Sequence, residues 1–91
     1  MQQRNSKTIL LSKTIGQILK EYRIEVAKKS INSVAHEYGL DVGNISRIEN
    51  GVTEVKLVTL WKLADAYEIP LSVLIQKIEA ALPKNFHLYE E

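Results

Sequence analysis

Apolar residues recur every three or four positions along most of the chain, which is the spacing of one face of an α-helix. The pattern predicts amphipathic helices at about 13–27 and 56–67. Because proline disfavours a helical conformation in the residue before it and suits a first helical turn, Pro70 separates the second of these from a last helix that ends at Pro83. The apolar positions expected to face the core are Ile15, Ile18, Leu19, Tyr22 and Val26 in the first helix, Leu57, Leu60, Trp61, Leu63, Ala64 and Tyr67 in the next, and Leu71, Leu74 and Ile75 in the last.

The segment 30–51, SINSVAHEYGLDVGNISRIENG, is typical of two short helices joined by a tight turn. Ser30 and Asp41 are suitable N-terminal caps, because a side-chain oxygen at that position accepts a hydrogen bond from a first-turn amide that has no helical partner. Gly39 supplies the left-handed conformation that ends the first helix, and Gly51 ends the second. Two helices with this connection form a helix-turn-helix motif.

The second motif helix has an apolar inner side and a different outer side. Ile45 and Ile48 lie three residues apart and are expected to face inward, and Leu40 of the turn is expected to pack beneath both helices. A helix whose outer face begins with small residues and continues with polar or cationic ones fits a DNA major groove by its N-terminal end. The outer residues are Val42, Gly43, Asn44, Ser46, Arg47 and Asn50.

At these residues the sequence resembles the phage-repressor and Cro-like (Cro/C1-type, XRE) helix-turn-helix family. That family's pattern is a serine cap, an alanine five residues later, a glycine turn and the run ISRIENG, which are here Ser30, Ala35, Gly39 and 45–51. The resemblance extends over about 15–74. It implies an all-α, five-helix lambda-repressor-like domain that binds double-stranded DNA in the major groove.

The resemblance also implies a function, that of a sequence-specific transcriptional regulator, and favours a repressor that binds a palindromic operator as a homodimer. It further implies that Arg23 pairs with Glu49 of the ENG element. The last helix has more apolar positions than a small domain is expected to cover, which indicates a dimer surface. Ile78 and Leu82, together with the residues that follow them, are the candidates for that surface.

The chain divides into an N-terminal arm (1–12), a helix-turn-helix domain (13–82) and a C-terminal tail (83–91). Ser12 or Thr14 is expected to cap the first helix. The arm is compatible with a strand, a helical extension or a partly mobile segment. The arm contains a short apolar run, Ile9, Leu10 and Leu11. This run could pair with three alternating apolar residues of the tail, Phe86, Leu88 and Tyr89.

Composition narrows the class of protein. Ninety-one residues, 45% of them hydrophobic and 25% charged, suffice for one domain with a modest core. The chain has no cysteine, which excludes disulfides and thiolate metal sites, and neither a metal nor a cofactor is expected. No apolar run approaches the length of a membrane span, and the first residues lack the core and cleavage site of a signal peptide. A cytoplasmic protein is therefore expected.

The net charge of +1 does not by itself indicate nucleic acid, but the charge is unevenly distributed. Residues 1–30 carry seven basic and two acidic side chains, whereas 31–60 and 61–91 have net charges of −2 each. Few basic residues therefore surround the motif, and we expect low non-specific affinity for DNA and a shallow salt dependence. The cations available for phosphate are Arg4, Lys7, Lys13, Lys28, Lys29, Arg47 and Lys56.

The candidate DNA contacts divide by their chemistry. Asn44 and Arg47 carry the polar readout, and Arg47 is preferred because its fork matches the O6 and N7 acceptors of guanine; a phosphate contact is the alternative for Arg47. Val42 can contact a thymine methyl group, and Gly43 permits close approach. The starts of both motif helices offer free amides to phosphate. The remaining candidates are Ser30, Ile31, Asp41, Ser46, Asn50 and Lys56, of which Asp41 weakens the local positive field and Ser46 could simply face solvent.

Two other classes of function are alternatives. An enzyme is not expected, because His36 and His87 are the only histidines and neither a metal-ligand spacing nor a nucleophile motif accompanies them. His36 is expected to be solvated. The stronger rival is a protein–protein interaction module on the same fold, such as an antitoxin-like partner binder, because Ile31 and Val42 place apolar groups on the motif surface. Many members of the family carry glutamine at the position of Ile31.

Overall fold

The computed structural model describes residues 5–89, which form five α-helices and no β-strand. The predicted all-α, five-helix domain is confirmed. Within this part of the chain, no helix is long and apolar enough to cross a bilayer. The helices are α1 (Ser6–Glu21), which continues into a π-helical turn (Tyr22–Ala27), α2 (Ile31–Tyr38), α3 (Val42–Glu49), α4 (Leu57–Ala66) and α5 (Leu71–Ala81).

The first helix begins earlier than its apolar spacing indicates. Asn5 caps α1, and its Oδ1 accepts a hydrogen bond from the amide of Thr8 at 2.8 Å. The expectation of a start near residue 13, capped by Ser12 or Thr14, is wrong, because both residues lie inside the helix and Ser12 is buried. Asparagine caps a helix as well as serine does, and neither proline nor glycine interrupts residues 6–12. The arm is therefore a helical extension from residue 6 onward.

The tail packs beside the extended part of α1 without forming a strand. Lys7 Nζ donates a hydrogen bond to the carbonyl oxygen of Tyr89 at 2.8 Å and lies 5.3 Å from the centre of the Tyr89 ring. Leu11 lines a cleft of about 890 Å³ together with Phe86 and Leu88 of the tail, and α5 forms its third wall. The apolar run of the arm thus lies next to the tail as predicted, but it does so as a helix.

Every helix contributes to one hydrophobic core. A fully buried aliphatic side chain stabilises the fold by roughly 1.5–3 kcal/mol relative to an exposed one. The core therefore holds the two motif helices firmly against the other three. The six largest fully buried side chains are Leu19 of α1, Val34 of α2, Ile45 and Ile48 of α3, Leu63 of α4 and Leu74 of α5.

The π-helical turn changes which residue at the end of the first helix faces inward. α-Helical spacing places Val26 below Tyr22 on the buried face, but Val26 is 61% exposed, so its assignment to the core is wrong. In a π-helical turn the backbone hydrogen bond spans five residues instead of four, as in the bond from the Lys28 amide to the Arg23 carbonyl oxygen. Ala27 therefore takes the inward position and packs against the core.

In α4 and α5, several apolar residues expected in the core are exposed, and one expected at the surface is buried. Leu57 and Trp61 are 62% and 53% exposed, and Ile75 is 42% exposed, so the assignment of these three to the core is wrong. The assignment of Ile78 to a dimer surface is also wrong, because Ile78 is 5% exposed and belongs to the core, and Leu82 packs against the core. Both helices carry apolar residues around most of their circumference, so spacing alone does not select the inner face.

Candidate nucleic-acid interface

The caps and the turn of the motif are as predicted. Ser30 Oγ accepts a hydrogen bond from the Ser33 amide at 3.1 Å, and Asp41 Oδ2 accepts one from the Asn44 amide at 2.8 Å. Gly39 has a φ of 64°, the left-handed conformation that ends α2. Ser30 therefore marks the start of α2, Gly39 its end and Asp41 the start of α3.

The inner side of α3 is buried and its outer side is open. The inward position of Ile45 and Ile48 is confirmed, because they are only 1% and 2% exposed. Val42 in the first turn is 43% exposed, and Arg47 and Asn50 are exposed farther along. The outer face is therefore accessible from the first turn of the helix to its end. The other predicted contact residues of α3, Gly43, Asn44 and Ser46, are half-buried.

Arg47 folds back along the outer face of α3 toward the start of the helix. Its Nη2 lies 3.8 Å from Oδ2 of Asp41, which is the same oxygen that caps the helix. Gly43 makes room for it, since a methyl group at Gly43 would lie 3.2 Å from Nη1 of Arg47. Both charged side chains are mostly exposed, so the pair contributes little to stability. Sequence reasoning misses this pair, because residues six apart are not neighbours at helical spacing.

A buried ion pair fixes the end of α3 to the π-helical turn. The guanidinium of Arg23 donates hydrogen bonds to both carboxylate oxygens of Glu49, and its Nη1 donates to the Lys29 carbonyl oxygen at 3.0 Å. The hydrogen bond with Glu49 raises the pKa of Arg23 above its ordinary value and outweighs the opposing effect of burial. The pair that the family resemblance implies is therefore present.

α1 crosses the end of α3 at close range. A methyl group at Gly16 would lie 2.6 Å from the carbonyl oxygen of Glu49 and would also overlap that of Ile48. Gly51 has a φ of 70°, and a methyl group there would lie 2.7 Å from Cα of Lys13. Because backbone atoms cannot move aside cheaply, these two glycines set the distance between α1 and α3. The role of Gly16 is also missed by sequence reasoning, although a glycine inside a helical pattern is itself a signal of close approach.

Between residues 30 and 60, all of them described, Arg47 and Lys56 are the only lysine or arginine residues. Lys29 is engaged, because its Nζ lies 3.2 Å from the Ala66 carbonyl oxygen and 3.4 Å from the carboxylate of Glu37. Lys56 immediately precedes α4 and is exposed. Arg4, which the sequence offers as a further cation, lies outside the described residues. The motif and the loop after it thus carry two separate cations, and the exposed Lys13 of α1 lies beside Gly51 at the end of α3.

A short helix that is anchored from behind by buried isoleucines, entered through a tight turn and open on its outer side defines a helix-turn-helix DNA-binding domain. A helix-turn-helix family model matches residues 19–74, which is more than half of the chain. The protein belongs to the Cro/C1-type helix-turn-helix family, also called the XRE family, and is a DNA-binding regulator. No curated protein matches the chain significantly.

Proposed function

We propose that the protein is a transcriptional repressor that binds a palindromic operator as a dimer, with α3 of each copy in the major groove. The observation that carries the proposal is the open outer side of α3, where the first turn and Arg47 are accessible while Ile45 and Ile48 hold the helix from behind. Occupying an operator excludes other proteins from it, so repression needs no contact beyond the one with DNA. A two-fold dimer matches a two-fold symmetric operator.

The proposed base contacts lie in the first two turns of α3. Arg47 presents its guanidinium to O6 and N7 of guanine once its 3.8 Å pairing with Asp41 opens. Asn44 is the second polar reader, whereas Val42 contacts a thymine methyl group and Gly43 allows the helix to approach the base edges. A bidentate contact of the Arg47 kind contributes about 1–3 kcal/mol of discrimination against the wrong base.

The proposed phosphate contacts lie at the ends of both motif helices. Ser30 and Asp41 each cap one first-turn amide, and the remaining amides of those turns can bind phosphate. Ile31 packs partly against the core, so it offers DNA its backbone amide rather than its side chain. This packing also weakens the rival interpretation, in which Ile31 is part of a protein-binding surface. The proposed set is completed by Ser46, Asn50 and Lys56.

In vitro selection from a pool of random DNA duplexes tests the proposal. We expect the selected sequences to contain two inverted half-sites whose centres lie about 34 Å apart, one turn of DNA. Fluorescence anisotropy then compares the selected operator with a scrambled duplex, for the wild type and for Arg47→Ala. Because Arg47 is exposed, the variant should remain folded. Its ratio of affinities for the operator and the scrambled duplex should fall about 5- to 150-fold.

Lys77→Ala is the matched control for this experiment. Lys77 is exposed on α5, which packs against α1 and α4. An unchanged operator preference in Arg47→Ala would contradict the proposed role of Arg47. If a folded wild-type dimer binds no duplex even at low salt, the proposal as a whole is wrong and a protein-interaction module is favoured.

A further inference from the structure

α4 exposes apolar side chains that no other part of residues 5–89 covers. Leu57, Val58 and Trp61 are 62%, 67% and 53% exposed. At about 100° of rotation per residue, these three side chains lie within an arc of about 100°, on the side of α4 opposite the buried Leu63. Contiguous patches of exposed apolar side chains mark interaction sites. We call the surface formed by Leu57, Val58 and Trp61 the α4 face.

We propose that the α4 face is the dimer interface and that its occupant is the α4 face of a second copy of this chain. The proposal rests on the dimeric repressor proposed above and adds where the two copies meet. Trp61 lies in the middle of α4. A two-fold axis that passes beside Trp61 perpendicular to α4 packs the two helices antiparallel and buries the α4 faces of both copies. Tryptophan is enriched in the buried centres of interfaces.

Charge complementarity along α4 supports this antiparallel arrangement. Asp65 is exposed on the side of α4 that carries Trp61, one turn farther along. At the other end, the first turn of α4 has neither an acidic residue nor a side-chain cap, and Lys56 precedes it, so this end is positive. In an antiparallel pair, Asp65 of each copy approaches the positive end of the other α4. A parallel pair would instead bring like charges together.

The cleft between α1, α5 and the tail is a weaker candidate for the same role. Ile78 would have to face a second copy there, but it is 5% exposed and already belongs to the core. Phe86 of the tail lines the cleft and is itself half-buried. Ile75, which is 42% exposed, also lines the cleft and remains accessible. A substitution of Ile75 therefore tests this alternative directly.

Trp61 is the only tryptophan of the chain, so its fluorescence reports on the α4 face alone. We expect its emission to shift to shorter wavelength as the concentration of the wild type rises, in step with dimer formation measured by sedimentation equilibrium. Val58→Lys should weaken dimerisation roughly 30-fold or more, because it places a charge in the interface of each copy. The matched variant Ile75→Lys should leave dimerisation unchanged. Circular dichroism should show both variants folded, since both side chains are exposed.

Binding to an isolated operator half-site separates this proposal from the proposed function. Val58→Lys should bind a half-site as the wild type does and should lose only the tighter binding to the full palindrome. An intact dimer in Val58→Lys, loss of the dimer in Ile75→Lys, or a wild type that stays monomeric even on the operator would each overturn the proposed interface. If neither protein binds any DNA, the proposed function is wrong, whereas sedimentation and Trp61 emission still decide the interface.

Discussion

Arg23 and Glu49 form a bidentate ion pair, in which Nε of Arg23 lies 2.7 Å from Oε2 of Glu49 and Nη2 of Arg23 lies 3.0 Å from Oε1 of Glu49. The two side chains are only 12% and 5% exposed. The pair joins the π-helical turn to the last residue of α3, the helix that is proposed to enter the major groove. It therefore fixes the orientation of that helix as well as its position.

Removing one partner of this ion pair should destabilise the domain strongly. Arg23→Met should lower the free energy of unfolding by about 3 kcal/mol, because the carboxylate of Glu49 is left buried without a counter-charge. Arg23→Met combined with Glu49→Met should recover most of that loss, since two apolar side chains leave no charge unpaired. Urea denaturation of the wild type, both single variants and the double variant measures this. A double variant less stable than either single one would contradict the explanation.

The close approach of α1 to α3 predicts a large effect of adding one methyl group. Gly16→Ala should destabilise the domain by about 3 kcal/mol, because the methyl group meets backbone oxygens of α3 that cannot shift independently. Gly39→Ala is the matched control. A methyl group at Gly39 meets nothing within 4 Å, so only the left-handed conformation costs energy, about 1–2 kcal/mol. Thermal unfolding compares the two, and an equal or smaller loss in Gly16→Ala would refute the steric argument.

Tyr67 has a buried hydroxyl without a hydrogen-bond partner among residues 5–89. Burial, reinforced by the charge of Glu49, raises the pKa of this phenol above its ordinary value of 10.0. The unfolded chain ionises near pH 10 while the folded one keeps its proton, so the stability of the fold falls as the pH rises above 10. Tyr67→Phe should change stability at pH 7 by less than about 1 kcal/mol and should flatten the decline above pH 10. Denaturant titrations of both proteins at pH 7 and above pH 10 measure the free energy of unfolding. A decrease of several kcal/mol for Tyr67→Phe at pH 7 would be inconsistent with a hydroxyl that has no partner.

The pairing of Arg47 with Asp41 predicts that neutralising Asp41 strengthens DNA binding. Asparagine retains the helix cap, so Asp41→Asn should change stability by less than about 1 kcal/mol. It removes a negative charge that holds Arg47 and that would face phosphate in the proposed complex, so operator affinity should rise roughly three- to tenfold. Anisotropy titrations measure the affinity. Asp41→Ala serves as the comparison that also loses the cap, and weaker binding by a stable Asp41→Asn would show that the carboxylate assists recognition.

The presence of only two cations, Arg47 and Lys56, in residues 30–60 predicts a shallow salt dependence. With two cations, Arg47 and Lys56, brought to DNA by each copy of the proposed dimer, the logarithm of the binding constant should fall with the logarithm of salt concentration with a slope of about −4. Lys56→Ala should reduce the slope by about two, because it removes one phosphate contact from each copy. Titrations of operator binding between low and moderate salt measure this slope. A slope of about −8 or steeper would require more cationic contacts than Arg47 and Lys56 supply and would contradict this prediction.

The helix-turn-helix motif was predictable from the sequence because its determinants act locally. The caps Ser30 and Asp41 each bond an amide three residues away, and Gly39 ends its helix by its own backbone conformation. The burial of Ile45 and Ile48 follows from the helical period once the motif is placed. The two sides of the candidate interface could therefore be distinguished without coordinates.

Features that depend on contacts between distant segments were not predictable in this way. The π-helical turn places Ala27 rather than Val26 against the core. Arg23 of this turn is bound to Glu49, which lies 26 residues farther along the chain. α4 is apolar on nearly all sides, so only its packing against α2 and α5 decides that Trp61 lies outside. The approach of Gly16 to α3 likewise exists only in the folded molecule.

The π-helical turn at the end of the first helix contains one residue more than an α-helix needs to join the same two points. The extra residue is accommodated within the turn itself, which includes the exposed Val26. The segments on either side of the turn are regular: Leu19 lies in the core before it, and Ser30 caps α2 after it. In evolutionary terms, we expect that the turn can gain or lose a residue without displacing α2 and α3, the helices proposed to contact DNA. Length variation among related sequences is thus expected inside a helix, where an alignment guided by loops would not place it.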